Sequence, residues 1–160
     1  MPRDAEIDRY VERMGGALTE AGLPRLPSRV FAALTADDDG RMTADELAQA
    51  LRVSKASISG AVKFLAQVSF IHREREPGSR RDVYVVDEDA WLNALQRTDQ
   101  TYAPMIAALG VGLAAVDPES SAHRRLVLAR AFLEFVTEEM DGIAQRWLAR
   151  RADLEAGFTS

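Results

Sequence analysis

Two short helical patterns, a tight turn between them and a basic pair of strands straight after occupy residues 43–86. Leu47, Ala48, Leu51, Val53, Ile58 and Ala61 hold the small or apolar positions at which two helices pack across such a turn. Packing of this kind leaves the outer face of the second helix free to enter a DNA major groove. Around that helix, Ile58, Ala61, Val62, Leu65 and Val68 form the stripe expected to be buried. Ala56, Ser59, Gly60, Lys63 and Gln67 fall on the opposite side, with Lys55 and Ser57 in the first turn. Small, polar and cationic side chains are what close approach to base edges and phosphates requires.

The net charge of −5 argues against a nucleic-acid partner until its distribution is considered. From residue 52 to residue 81, seven cations (Arg52, Lys55, Lys63, Arg73, Arg75, Arg80 and Arg81) face only Glu74 and Glu76, a local balance of +5. The only two lysines, Lys55 and Lys63, both fall in the second helix of the pair. Local charge, not net charge, meets phosphate. The chain has no cysteine, which excludes disulfides and thiol chemistry. No apolar run is long enough to span a bilayer, and the opening Met1-Pro2-Arg3-Asp4 does not read as a signal peptide, so a cytoplasmic location is expected.

The flanking segments read as helices. Ile7, Tyr10, Val11, Met14, Ala17, Leu18 and Ala21 recur at helical spacing over about 4–21, with Gly15-Gly16 permitting close packing and Gly22 as a stop. A second helix starts at Ser28 or just before it, and Asp37-Asp38-Asp39-Gly40 is a loop. Thr43 caps the third helix with Glu46 as its capping-box partner, and Ser54 caps the fourth, which runs to about residue 69. The spacing then predicts strands over 70–75 and 82–86 about a Pro77-Gly78 type II turn. A long helix beginning at Asp87 or Asp89 contains Pro104, which should bend it, and ends near Asp117-Pro118-Glu119.

In the last helix, about 119–154, Leu126, Ala129, Leu133, Val136, Met140, Ile143 and Trp147 alternate spacings of three and four. That heptad pattern predicts a coiled-coil-like seam on a rod of about 50 Å. A rod of that length needs more cover than a small domain supplies, and a second copy of the chain is the expected solution. The first helix (Tyr10, Val11) joins Leu126, Leu133, Val136, Met140, Ile143 and Trp147 in the expected dimer interface.

This order of parts resembles the MarR superfamily of winged-helix transcriptional regulators, and within it the GbsR-like branch and actinobacterial regulators of efflux genes. The likeness is carried by Val11-Glu12-Arg13-Met14-Gly15-Gly16, Thr43-Ala44-Asp45-Glu46-Leu47-Ala48, Ser54-Lys55-Ala56-Ser57-Ile58-Ser59 and the wing tip Gly78-Ser79-Arg80-Arg81-Asp82-Val83-Tyr84. The resemblance implies that Arg80 reaches the minor groove with Arg81 beside it on the backbone. It also implies a homodimer with interlocked first and last helices, and an apolar ligand pocket for which Met14, Met105, Leu109, Phe132, Phe135 and Val136 are the candidates. Arg52 departs from the pattern, standing where many such turns have glycine, so that either the turn differs or Arg52 touches phosphate. The wing also lacks the Asp-x-Arg spacing of better-known members.

Rival motifs are weaker. Residues 35–46 follow a calcium-loop pattern, with Asp37, Asp39, Gly40 and Glu46 in place, but Thr35 holds the first ligand position and no second loop exists. His72 is expected to be exposed or to touch phosphate on a strand and His123 to lie on a solvated face, which leaves little material for a metal or acid–base site. The expectation is a mainly α chain with a small β-hairpin wing. Residues 1–22 form a dimerisation helix, 26–86 a winged helix-turn-helix domain and 87–154 long dimerisation helices. The expected function is that of a homodimeric regulator, a repressor by resemblance, on an inverted-repeat operator in double-stranded DNA, released by an apolar or amphipathic effector. No cofactor, metal or enzymatic activity is expected. The DNA contacts are Arg52, Ser54, Lys55, Ser57, Ser59, Gly60, Lys63, Arg73, Arg75, Arg80 and Arg81. The alternatives are a calcium-binding module using the acidic loop and a winged-helix scaffold that binds protein.

Overall fold

The computed structural model describes residues 2–158, with the side chains of all but residues 2–4, 96, 98 and 99. Six helices and three strands follow in the order α1 (Pro2–Glu20), α2 (Arg25–Ala36), β1 (Arg41–Thr43), α3 (Ala44–Leu51), α4 (Lys55–Gln67), β2 (Ile71–Arg75), β3 (Asp82–Val86), α5 (Ala90–Ala115) and α6 (Ser121–Phe158). The chain divides into two compact units, Met1–Asn93 and Ala94–Ser160.

The first unit is built around α2, against which α1, α3, α4 and β3 all pack. Val30, Phe31 and Leu34 of α2 meet Leu47, Ile58 and Leu65 in a core sealed from solvent. Each such side chain contributes about 1.5–3 kcal/mol through the apolar surface it removes from water. Phe31 also anchors an aromatic cluster, with its ring centre 5.0 Å from Phe70 and 5.5 Å from Trp91 in an edge-on contact. Gly15 lets α1 approach closely, since a Cβ there would stand 2.9 Å from Arg29 Cγ.

Helix ends follow the sequence signals in most places. Gly22 takes φ 106° and closes α1 with amide bonds from Gly22 to the Thr19 carbonyl and from Leu23 to the Leu18 carbonyl. Thr43 and Glu46 form the full capping box of α3, and Ser54 caps α4 by accepting from the Ser57 amide. Helix α2 starts three residues before Ser28, which is not a cap: it is fully buried, with its hydroxyl donating to the Pro24 carbonyl at 2.8 Å.

The wing is a three-stranded antiparallel sheet in the order β1-β3-β2, not the two-stranded hairpin expected from sequence. Arg41 pairs with Val85 and Thr43 with Val83 on one side of β3, while Arg73 pairs with Tyr84 and Arg75 with Asp82 on the other. Three residues of β1 are too few to show an alternating pattern, so the strand is invisible until its partner is in place.

In the second unit, α6 extends for 38 residues, about 57 Å at the usual rise. Helix α5 contains Pro104 and comes close to α6 at Gly112, where a Cβ would stand 3.2 Å from Leu126 Cδ1. His123 does not sit on a solvated face. It is half-buried, and its Nδ1 is closed off without a hydrogen-bond partner, because it lies one turn before Leu126 on the inward side of α6.

Candidate nucleic-acid interface

Helix α4 buries Ile58, Ala61, Val62 and Leu65 and turns Lys55, Ala56, Ser57, Ser59, Gly60, Lys63 and Gln67 to solvent. Val68, the last member of the stripe, is half-buried at the C-cap. A Cβ at Gly60 would meet nothing within 4 Å, so the backbone there lies open to close approach. Part of the hydroxyl capacity in the first turn is already used, since Ser54 Oγ and Ser57 Oγ lie 2.8 Å apart.

Arg52 bears on the first of the two expectations about the turn. It adopts the left-handed conformation itself, with φ 55° and ψ 46°. Amide bonds from Arg52 to the Gln49 carbonyl and from Val53 to the Ala48 carbonyl then close α3 as glycine would. The turn keeps its geometry at the cost of a strained residue, about 1–2 kcal/mol for a side chain in this region. The arginine head is exposed, 4.0 Å from Asp8 of α1.

The wing tip is a tight turn from Glu76 to Ser79, with Ser79 donating to the Glu76 carbonyl and Gly78 at φ 76°, as a type II turn requires. Its base is tied by the Glu76 amide to the Arg81 carbonyl, and the Arg81 amide donates to Ser79 Oγ at 3.1 Å. Arg73, Arg75, Arg80 and Arg81 are all exposed. Between this wing and the starts of α3 and α4 lies a cleft of about 340 Å³ lined by Thr43, Asp45, Lys55, Ser59, Arg80, Arg81 and Tyr84.

Carboxylates temper this cationic surface. Asp45 holds Lys55 Nζ at 2.8 Å, and Asp82 lies 3.5 Å from Arg73 Nη1. Glu74 pairs with Arg41 at 3.2 Å and lies 3.1 Å from His72 Nε2. Asp45 and Asp82 both lie outside residues 52–81, and Asp45 reaches Lys55 only across the folded turn. Exposed pairs of this kind are weak, about 0–1 kcal/mol, so a phosphate can displace them.

The acidic loop is committed to other work. Asp37 Oδ2 accepts from the Asp39 and Arg41 amides at 3.2 Å. Glu46 Oε2 accepts from the Thr43 amide at 2.7 Å and from its hydroxyl at 2.8 Å. The Thr43 amide, then its hydroxyl, and more weakly the Arg81 charge hold the Glu46 carboxyl below its ordinary range, against a smaller opposing effect of burial. A calcium ion would have to take Glu46 away from its cap. Among the described residues no group of three or more His, Asp or Glu could hold a metal ion.

The candidate ligand and interface residues fall in both units. In the first, Met14 is half-buried, Val11 is already buried within the chain, and Tyr10 Oη lies 2.9 Å from Thr35 Oγ1. In the second, Leu109, Leu126, Leu133, Val136 and Met140 are half-buried, while Met105, Phe132, Phe135, Ile143 and Trp147 are exposed.

A helix-turn-helix with an open cationic second helix, beside a three-stranded basic wing, defines a winged helix-turn-helix protein. Comparison with known proteins agrees at both ends of the chain. A model described as MarR family matches residues 21–82, and one described as MmpR5-like MarR family transcriptional regulator matches residues 89–150. Both matched models are of MarR family regulators, and between them they take in most of the chain. The chain is 29% identical over 154 residues to the HTH-type transcriptional regulator MmpR5 of Mycobacterium tuberculosis, covering 96% of this chain and 93% of that protein. The crystal structure of a transcriptional regulator superposes with a TM-score of 0.77 at 28% identity, over 90% of this chain and 99% of the other. The matched families are those of transcription regulators, not of enzymes. They do not place the chain in the GbsR-like branch. Among the described residues no helix is long and apolar enough to cross a membrane.

Proposed function

We propose that this chain is a cytoplasmic transcriptional repressor that binds an inverted-repeat operator as a homodimer and is released by an apolar or amphipathic ligand. The observation that carries the DNA reading is the open face of α4, Lys55 to Lys63, beside the exposed wing arginines Arg75, Arg80 and Arg81. In this reading Lys55, Ser57, Ser59, Gly60 and Lys63 enter the major groove, while Arg73, Arg75, Arg80 and Arg81 hold the wing on the backbone or in the minor groove. Ser54 and Arg52 flank the helix start near phosphate. The homodimer is supported by Phe132 and Phe135, 63% and 58% exposed on α6. Its parts are residues 1–22 and 87–154 for dimerisation and 26–86 for DNA. Assignment to the GbsR-like branch rests on the resemblance carried by Val11-Glu12-Arg13-Met14-Gly15-Gly16, the runs from Thr43 to Ala48 and from Ser54 to Ser59, and the wing tip.

The test is fluorescence anisotropy on the DNA immediately upstream of the gene and on a scrambled duplex, across a salt series. Selective binding with a steep salt slope is expected. Arg80→Ala should lower affinity for both duplexes and flatten the slope by about one unit. Absence of binding at low salt would sink the DNA reading.

A further inference from the structure

We infer that the cavity between α1, α2 and the end of α3 binds a small cationic amphiphile, an ammonium group on a short apolar tail. The cavity has a volume of about 290 Å³ and lies wholly within the first unit. That is the lower end of the range for small-molecule sites. Its apolar wall includes Val11, Ala33 and Leu51, which are buried, and Ile7 and Met42, which are half-buried. Its polar rim decides the class of ligand.

The rim carries three carboxylates, Asp8, Glu12 and Asp37, against two arginines, Arg29 and Arg52. Arg29 is committed, since its Nε and Nη2 both donate to Glu12 Oε1, at 2.8 and 2.6 Å. Asp37 spends one oxygen on two backbone amides. Asp8 has Arg52 at 4.0 Å, and that arginine side chain is 87% exposed. One negative charge is thus left over beside an apolar wall, and a cation on a short tail satisfies both. A tail seated on Val11 and Leu51 brings its ammonium to Asp8 and releases Arg52. Because Arg52 lies in the turn that precedes α4, the site adjoins the helix-turn-helix. This inference does not rest on the DNA reading, and its test contains no DNA.

The test is calorimetric titration of the full chain with octyltrimethylammonium, octanoate and octanol, which share one tail and differ in head group. The ammonium should bind at one site per chain, with octanoate roughly threefold to tenfold weaker. Asp8→Asn, at an exposed position, should weaken the ammonium about threefold and leave octanol unchanged. Ala50→Leu, at an exposed helical position of the lining, should weaken all three. Octanoate binding as tightly as the ammonium overturns the inference, as does the absence of heat at millimolar ammonium. Ammonium binding indifferent to both substitutions puts the ligand elsewhere, on the apolar surface of α5 or α6, and overturns it equally. Unchanged thermal melting of Asp8→Asn separates a lost contact from a lost fold.

Discussion

The two units solve the problem of apolar surface in opposite ways. In the first, Phe31, Leu34, Leu47, Ile58 and Leu65 are sealed by neighbours from the same chain. In the second, Ala144 of α6 is buried, whereas Met105, Val111, Leu128, Phe132, Phe135 and Leu148 stand exposed. Isolated exposed hydrophobes are ordinary, but a set this dense along two helices marks a surface made for contact. The first unit carries its own core, and the second leaves apolar surface open, the surface that the proposed homodimer would cover.

Substitutions can break or sharpen that contrast. Phe31→Ala removes the ring on which Phe70 and Trp91 lean and should cost about 3–5 kcal/mol. Urea unfolding followed by tryptophan fluorescence reads it, and the loss should not depend on protein concentration. Phe135→Asp should do the reverse, weakening self-association by about 2 kcal/mol or more while leaving the first unit's melting intact. Sedimentation over a concentration series decides this, and an unchanged association would remove Phe135 from the interface.

Smaller effects probe the helix-turn-helix. Glu46→Gln should cost about 1 kcal/mol at neutral pH, a capping-sized effect. Because the folded carboxyl titrates below its unfolded value, its contribution is fully present above the ordinary glutamate range and is lost as pH falls through the folded value. The gap between wild type and variant should therefore close below about pH 4. Smallest of all, Arg52→Gly should stabilise the chain by a few tenths to about 1 kcal/mol, as relieved backbone strain outweighs the added freedom of the unfolded chain. A loss of stability at this position would show that the Asp8 contact outweighs the strain.

What could be read from sequence was what is local. The caps at Thr43 and Ser54, the buried stripe of α4 and the Pro77-Gly78 turn each depend on residues a few positions apart. The open side of α4 followed from that stripe by subtraction. Contacts across long separations were hidden. Strand β1 exists because Val83 and Val85 lie beside it, and Asp45 restrains Lys55 because α3 and α4 meet at a particular angle. A polar residue at a helix start, such as His123, looks solvated until the inward face of Leu126 is known. The rim charges around the α1–α2 cavity are scattered from residue 8 to residue 52, and no window gathers them.

The strand order of the wing sets where this chain is free to change. Strand β3 is held in register by β1, which precedes the helix-turn-helix, as well as by β2. The connection over residues 76–81 therefore only joins two strands already placed and does not determine their alignment. Residues can be inserted there at a small entropic cost, about 0.6 kcal/mol for each doubling of loop length. Wings of different reach can thus be tried on one framework, each presenting its arginines at a new distance, while the return strand stays in its slot.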